Sequence, residues 1–135
     1  MPGSNLNVIY FPDDPKAVGW EGAVVALGNF DGVHRGHTAI LDNVRRRAEK
    51  RGRRAAVVTF EPHPPKIIRP DKAPLLLMTH SQKCNAMLES GMDGVGVVRF
   101  TAEVSKWEPD LFVRRVLVEW LRICEVWVGE NFLFG

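Results

Sequence analysis

Short apolar runs alternate along the chain with stretches in which apolar positions recur every three or four residues. Ala23-Val24-Val25-Ala26-Leu27 is continuous rather than alternating, the pattern of a strand covered on both sheet faces. A glycine-rich turn follows, and then a helix from about His37 to Arg51. Its Ile40, Leu41, Val44 and Ala48 share one stripe, and Gly52 stands where a C-terminal cap belongs. Ala55–Phe60 is a second strand, which completes a right-handed βαβ unit. Prolines then crowd Glu61-Pro62-His63-Pro64-Pro65 and bar both helix and central strand, so a long loop or flap is expected to about Met78. Thr79-His80-Ser81-Gln82 has capping-box spacing and opens a short helix that stops at Gly91. A third strand covers Gly94 to Phe100. Pro109 suits the first turn of a further helix, which turns Phe112, Val116, Leu117, Trp120 and Leu121 inward. Glu125–Val128 is a fourth strand, followed by Gly129-Glu130-Asn131-Phe132-Leu133-Phe134-Gly135.

This order predicts an α/β fold, a doubly wound parallel sheet with helices on both faces. Ligands bind such sheets outside the carboxyl ends of the strands, where connections diverge. The first turn, the proline loop and the final segment should therefore share one rim.

Composition changes this picture little. A single domain of 135 residues can bury a core without metal or disulfide staples, and a net charge of +2 with no segregated basic face gives no reason to expect nucleic acid. Cys84 and Cys124 lie in separate elements with no cysteine or histidine at metal spacing, which reads as buried thiols outside any disulfide. Met1 to Gly19 lacks a basic start followed by an apolar run, and no run is long enough to span a bilayer. A cytoplasmic protein without membrane partners is expected; oligomeric state is not legible. The arginines of Arg45–Arg47 and Arg51–Arg54 read as a solvated, cationic helix end. Trp107, Trp120 and Trp127 read as packing.

The chemistry concentrates in Gly28-Asn29-Phe30-Asp31-Gly32-Val33-His34-Arg35-Gly36-His37, between the first strand and its helix. Gly28 and Gly32 permit tight backbone geometry, and Gly36 removes a side chain where a ligand approaches. Unpaired N–H groups and the positive helix end favour an anion, at which His34 and His37 would point donors. No GK[ST] follows, and the glycine spacing is not that of a dinucleotide fingerprint. A zinc site on the two histidines lacks a third ligand nearby, so no metal held by the protein alone is expected.

The segment resembles the GxFDGxHxGH signature of the nucleotidyltransferase superfamily. Val58-Thr59-Phe60-Glu61-Pro62-His63-Pro64 looks like the VTFEPHP segment of prokaryotic FAD synthetases, and Gly129–Gly135 is similar to that family's GxNFxFG segment. Lys83 to Asp93 and Pro109 to Glu119 share its layout. The resemblance covers roughly Leu6 to Gly135 and implies a Rossmann-like nucleotidyltransferase fold. It also implies an FMN adenylyltransferase that makes FAD and pyrophosphate from FMN and ATP with Mg2+.

Carried onto this chain, the resemblance makes His34 and His37 catalytic donors to the phosphates. Gly28, Asn29, Phe30, Asp31, Gly32, Gly36 and Asn131 become nucleotide-binding residues, with Asp31 shaping the turn rather than acting as a base. Phe60, Pro62, His63 and Pro64 become a flap beside the flavin. Plainer readings stand beside these: a rigid connector for the proline loop, a structural His63, a turn at Asn131 and core packing for Phe132 or Phe134. The family's Ser/Thr-rich ISSTxIR segment has no match, nor does a riboflavin kinase domain, so residues 1–135 read as a C-terminally truncated adenylyltransferase domain. The alternatives are another phosphate acceptor or a non-catalytic nucleotide- or flavin-binding module.

Overall fold

The fully apolar strand pattern near residue 25 has a direct structural counterpart. Every residue of the strand β2 (Val24–Leu27) is buried, because helices cover both sides of it. The computed structural model describes residues 7–14, 19–30, 35–61 and 80–128, with the backbone alone at 7, 35–38 and 80. The other strands are β1 (Asn7–Phe11), β3 (Ala55–Glu61), β4 (Gly94–Arg99) and β5 (Glu125–Val128). Among the described residues they form one parallel sheet in the order β1-β4-β3-β2-β5. The α/β, doubly wound expectation holds.

Alternate strand residues feed two cores. Val24, Ala26, Ala55 and Val57 pack with Leu41, Val44 and Ala48 of α1 (Arg35–Arg51) and with Cys84 and Met87 of α2 (His80–Glu89). Val25, Leu27, Ala56, Val58 and Phe60 pack on the opposite face, against Phe112, Val116, Leu117, Trp120 and Leu121. These five residues lie on or just after α4 (Pro109–Phe112) and its π-helical continuation Val113–Trp120, which the short helix α3 (Ala102–Ser105) precedes. On that face β4 offers Gly96, onto which the indoles of Trp20 and Trp120 pack; a Cβ there would lie 3.6 Å from each.

The π-helical turn is a difference from the expected α-helix. The inward residues are spaced by four and five positions, which the wider i→i+5 turn keeps on one side better than a 3.6-residue turn. The bond from the Leu121 N–H to the Val116 carbonyl, at 3.1 Å, has this spacing.

Three further expectations change. The sheet has an N-terminal edge strand, β1, beyond the four strands expected. The first helix starts at Arg35. Cys124 is exposed, whereas Cys84 is buried as expected. The left-handed φ of Gly52, +66°, fits its capping role.

Candidate active site

The register of the parallel strands fixes which ends meet. Leu27, the last residue of β2, pairs with Val58 of β3 on one side and with Val128 of β5 on the other. The chain therefore leaves β2 at Gly28 beside the end of β5 and the last turn of β3. Between β2 and β5 the winding reverses, since β3 and β4 lie on one side of β2 and β5 on the other. This is the point at which an open α/β sheet leaves a crevice for a ligand.

The first turn is held by its neighbours. The Gly28 N–H donates to the Val58 carbonyl at 3.1 Å and carries the ladder one residue past β2. The Asn29 carbonyl accepts from Thr59 Oγ1 at 2.9 Å and from Lys83 Nζ at 3.1 Å. Lys83 Nζ also donates to the Phe60 carbonyl at 3.4 Å. Asn29 Oδ1 is buried without a hydrogen-bond partner among the described residues.

Phe30 has a left-handed φ of 51°, which costs a non-glycine residue of order 1–3 kcal/mol. Its buried ring, in the same cluster as Leu41 and Val44, offsets that strain. Gly28 has a different task from the conformational freedom expected of it, since its φ is not left-handed. A Cβ there would sit 3.1 Å from Cε2 and 3.2 Å from Cζ of the Phe30 ring, so the glycine makes room for the aromatic anchor.

Gly28, Asn29, Phe30 and Phe60 thus stand together at the carboxyl rim. Phe60 points to the other face, edge-on to Phe100 with ring centroids 5.6 Å apart and tilted against Phe112 at 5.7 Å. Gly36 and His37 lie in the first turn of α1 as backbone. Asp31, Gly32, His34, Pro62, His63, Pro64 and Asn131 lie outside the described residues, as do Thr79 of the capping box, the rest of the proline loop to Met78 and the final segment. The chain enters or leaves each of these stretches from the same rim, at Phe30, Glu61 and Val128.

Two residues at this rim were not singled out as site residues by the sequence. Thr59 and Lys83 are both buried polar residues, the lysine 6% exposed. The available signal was positional: a hydroxyl inside the apolar run of β3, and a lysine one helical turn before the buried Met87.

Comparison with known proteins decides the family. The FAD synthetase family model matches residues 16–135. The chain belongs to the FAD synthetase family. Similar relatives are bifunctional riboflavin kinase/FMN adenylyltransferases. That of Escherichia coli (strain K12) is 39% identical over 115 residues, which cover 85% of this chain and 37% of the relative. That of Pseudomonas fluorescens is 41% identical over 114 residues, covering 84% and 36% respectively. The chain thus spans a little over a third of the length of these relatives.

A solved structure titled as a macrolide-efflux protein from Streptococcus pneumoniae superposes with a TM-score of 0.75, covering 95% of this chain and 42% of that one. At 19% identity it shares the fold alone. No helix among the described residues of this FAD synthetase family member is long and apolar enough to cross a membrane.

Proposed function

We propose that this chain is an FMN adenylyltransferase domain that joins the adenylyl group of ATP to FMN. The observation that carries the reading is the convergence at one rim of the turn after β2, the end of β3 and the end of β5. The GNFDGVHRGH segment bridges that rim to α1. ATP is taken as its magnesium complex. An oxygen of the FMN phosphate attacks the α-phosphorus in line. The new P–O bond forms as the bond to the α–β bridging oxygen breaks, and pyrophosphate leaves with that electron pair. A phosphate nucleophile is already ionised, so the protein supplies positioning and charge stabilisation rather than a base.

His34 and His37 donate to the phosphate oxygens, with Asp31 and Gly32 shaping the turn. Gly36 lets the backbone approach the nucleotide, and Gly28 and Phe30 set the course of the turn beside it. The buried, unpartnered acceptor of Asn29 supports a nucleotide contact there. Pro62, His63 and Pro64 close beside the flavin next to Phe60, and Asn131 holds the nucleotide from the β5 side. The reaction belongs in the cytoplasm, where ATP and FMN are supplied.

Replacing His34 or His37 with Ala should cut FMN-dependent pyrophosphate release by about two orders of magnitude, the usual loss for one charge-stabilising donor. Wild-type release rates in both variants would remove the mechanism.

A further inference from the structure

A cleft of about 570 Å³ opens beside β1, at the opposite edge of the sheet from β5, between the turn that follows β1 and the π-helical segment. Phe11, Pro12, Arg114, Arg115, Glu119 and Trp120 line it. β1 is the third strand from β2 in the sheet order, so at about 4.8 Å per strand the two run about 14 Å apart. None of Gly28, Asn29, Phe30 and Phe60 lines the cleft. It is separate from the adenylyl-transfer rim.

Its floor is fixed. The Phe11 ring stands edge-on to Trp120, with centroids 5.2 Å apart, and to Trp107 at 6.2 Å. Trp120 Nε1 donates to the Asp14 carbonyl at 2.8 Å and ties the turn to the helix. The charges around it are unequal. Both carboxylates of the turn are engaged elsewhere: Asp13 accepts from Arg99 Nε and Asp14 from the Tyr10 N–H, each at 2.7 Å. Arg114 and Arg115 are exposed and make no ion pair among the described residues; the Arg115 guanidinium lies over the Trp107 ring, 5.6 Å from its centroid. Two guanidiniums thus face the cleft with one carboxylate, that of Glu119.

We infer that this cleft binds a phosphate monoester carrying a planar ring and hydroxyl groups, the chemistry shared by nucleoside monophosphates and FMN. Each lining group has a counterpart in such a ligand. Guanidinium forks match the geometry of phosphate oxygens. Phe11, Pro12 and Trp120 offer an apolar wall to a ring. Glu119 would repel a bare anion, but it accepts hydrogen bonds from the hydroxyls of an ester. The volume lies within the range of about 300–1,000 Å³ usual for small-molecule sites. The π-helical turn is a second pointer, since such turns are found mostly at functional sites. Its i→i+5 spacing stacks Arg114 with Glu119 and Arg115 with Trp120, one turn apart, which brings cation, carboxylate and indole to the same cleft. The inference does not rest on the adenylyltransferase reading.

The test titrates AMP, FMN and inorganic phosphate separately into the full chain by calorimetry, with the thermal midpoint of each protein. The set is wild type, R114Q and R114Q/R115Q. Both arginines are exposed, so the midpoints should stay near that of wild type. Wild type should bind one equivalent of AMP or of FMN that R114Q/R115Q weakens about tenfold or more, the order expected for lost charge-assisted bonds. The ester that shows this loss tells a purine nucleotide from a flavin. An equivalent that survives in R114Q/R115Q belongs to the rim and leaves the inference standing. Inorganic phosphate should bind at least about tenfold more weakly than the ester.

AMP and FMN binding that R114Q/R115Q leaves unchanged would overturn the inference, as would a wild-type chain that binds neither. Inorganic phosphate bound as tightly as the ester would overturn the ligand class, because ring and hydroxyls would then contribute nothing. If R114Q/R115Q does not fold, R114Q with unchanged affinity for both esters overturns it.

Discussion

At Phe30 a bulky residue holds a backbone conformation that glycine would adopt without strain, and its ring supplies the reason. With 1% of its surface exposed, the ring has no route of retreat, and Gly28 faces it closely enough that a Cβ would come within 3.1 Å. Gly28→Ala should therefore destabilise the fold by about 1–3 kcal/mol, the cost of overpacking a filled site. The same substitution in a Phe30→Leu background should cost less, because the clash partner is smaller and the two sites are coupled. Equal costs in both backgrounds, read from urea midpoints, would show that Gly28 serves the backbone and not the ring. The glycine was legible in the sequence as special, but its reason was not. A turn glycine and a glycine under an aromatic ring look alike until the ring direction is known. Thr59 and Lys83 were illegible in the same way, since their importance lies in which carbonyl they reach.

Among the elements, the first helix and the edge strand are joined by a feature that composition misrepresents. The arginines at the end of α1 read as a solvated cationic face, and Arg45 does pair locally with Asp42. Arg47, however, reaches β5. Its Nε and Nη2 donate to the two oxygens of Glu125 at 3.0 and 3.1 Å, Arg51 stands at 3.5 Å, and Trp127 Nε1 donates at 2.6 Å. The bond from Arg47, helped by that from Trp127, holds the Glu125 carboxyl below its ordinary value of 4.5.

A carboxylate depressed in this way adds stability that is fully present above the ordinary value and is lost as pH falls through the lower, folded one. Glu125→Gln should lower the thermal midpoint at pH 7, and the gap from wild type should close as pH falls below 4.5 and through the lower, folded value. A gap that persists unchanged into acid would mean that the charge of Glu125 contributes nothing. The helices α1, α2 and α4, the strands β2 to β5 and the inward stripes were readable, because burial on both faces of the central strands imposes continuous apolar runs. The π-helical turn was not readable, since its apolar stripe also passes for that of an α-helix. Nor was β1: a five-residue edge strand, half-buried at residues 8–11, owes its place to pairing with β4, far along the chain.

Taken whole, the molecule places its family signature where its topology reverses. The order β1-β4-β3-β2-β5 puts the β2 exit between the ends of β3 and β5, and three sequence segments of the FAD synthetase type begin or end at that rim. The sheet order itself was only partly foreseeable from alternating strands and helices. Local sequence gives the succession of elements, while the position of β5 on the far side of β2 depends on contacts between distant segments.

The central claim is that this rim transfers an adenylyl group to FMN. It is tested most directly by incubating the purified chain with FMN, ATP and magnesium and separating the products by chromatography. The account predicts that FAD accumulates with an equal amount of pyrophosphate, and that a non-flavin acceptor phosphate does not replace FMN. MgATP and FMN both bound with no FAD formed would contradict it, and would make the chain a nucleotide- and flavin-binding module instead.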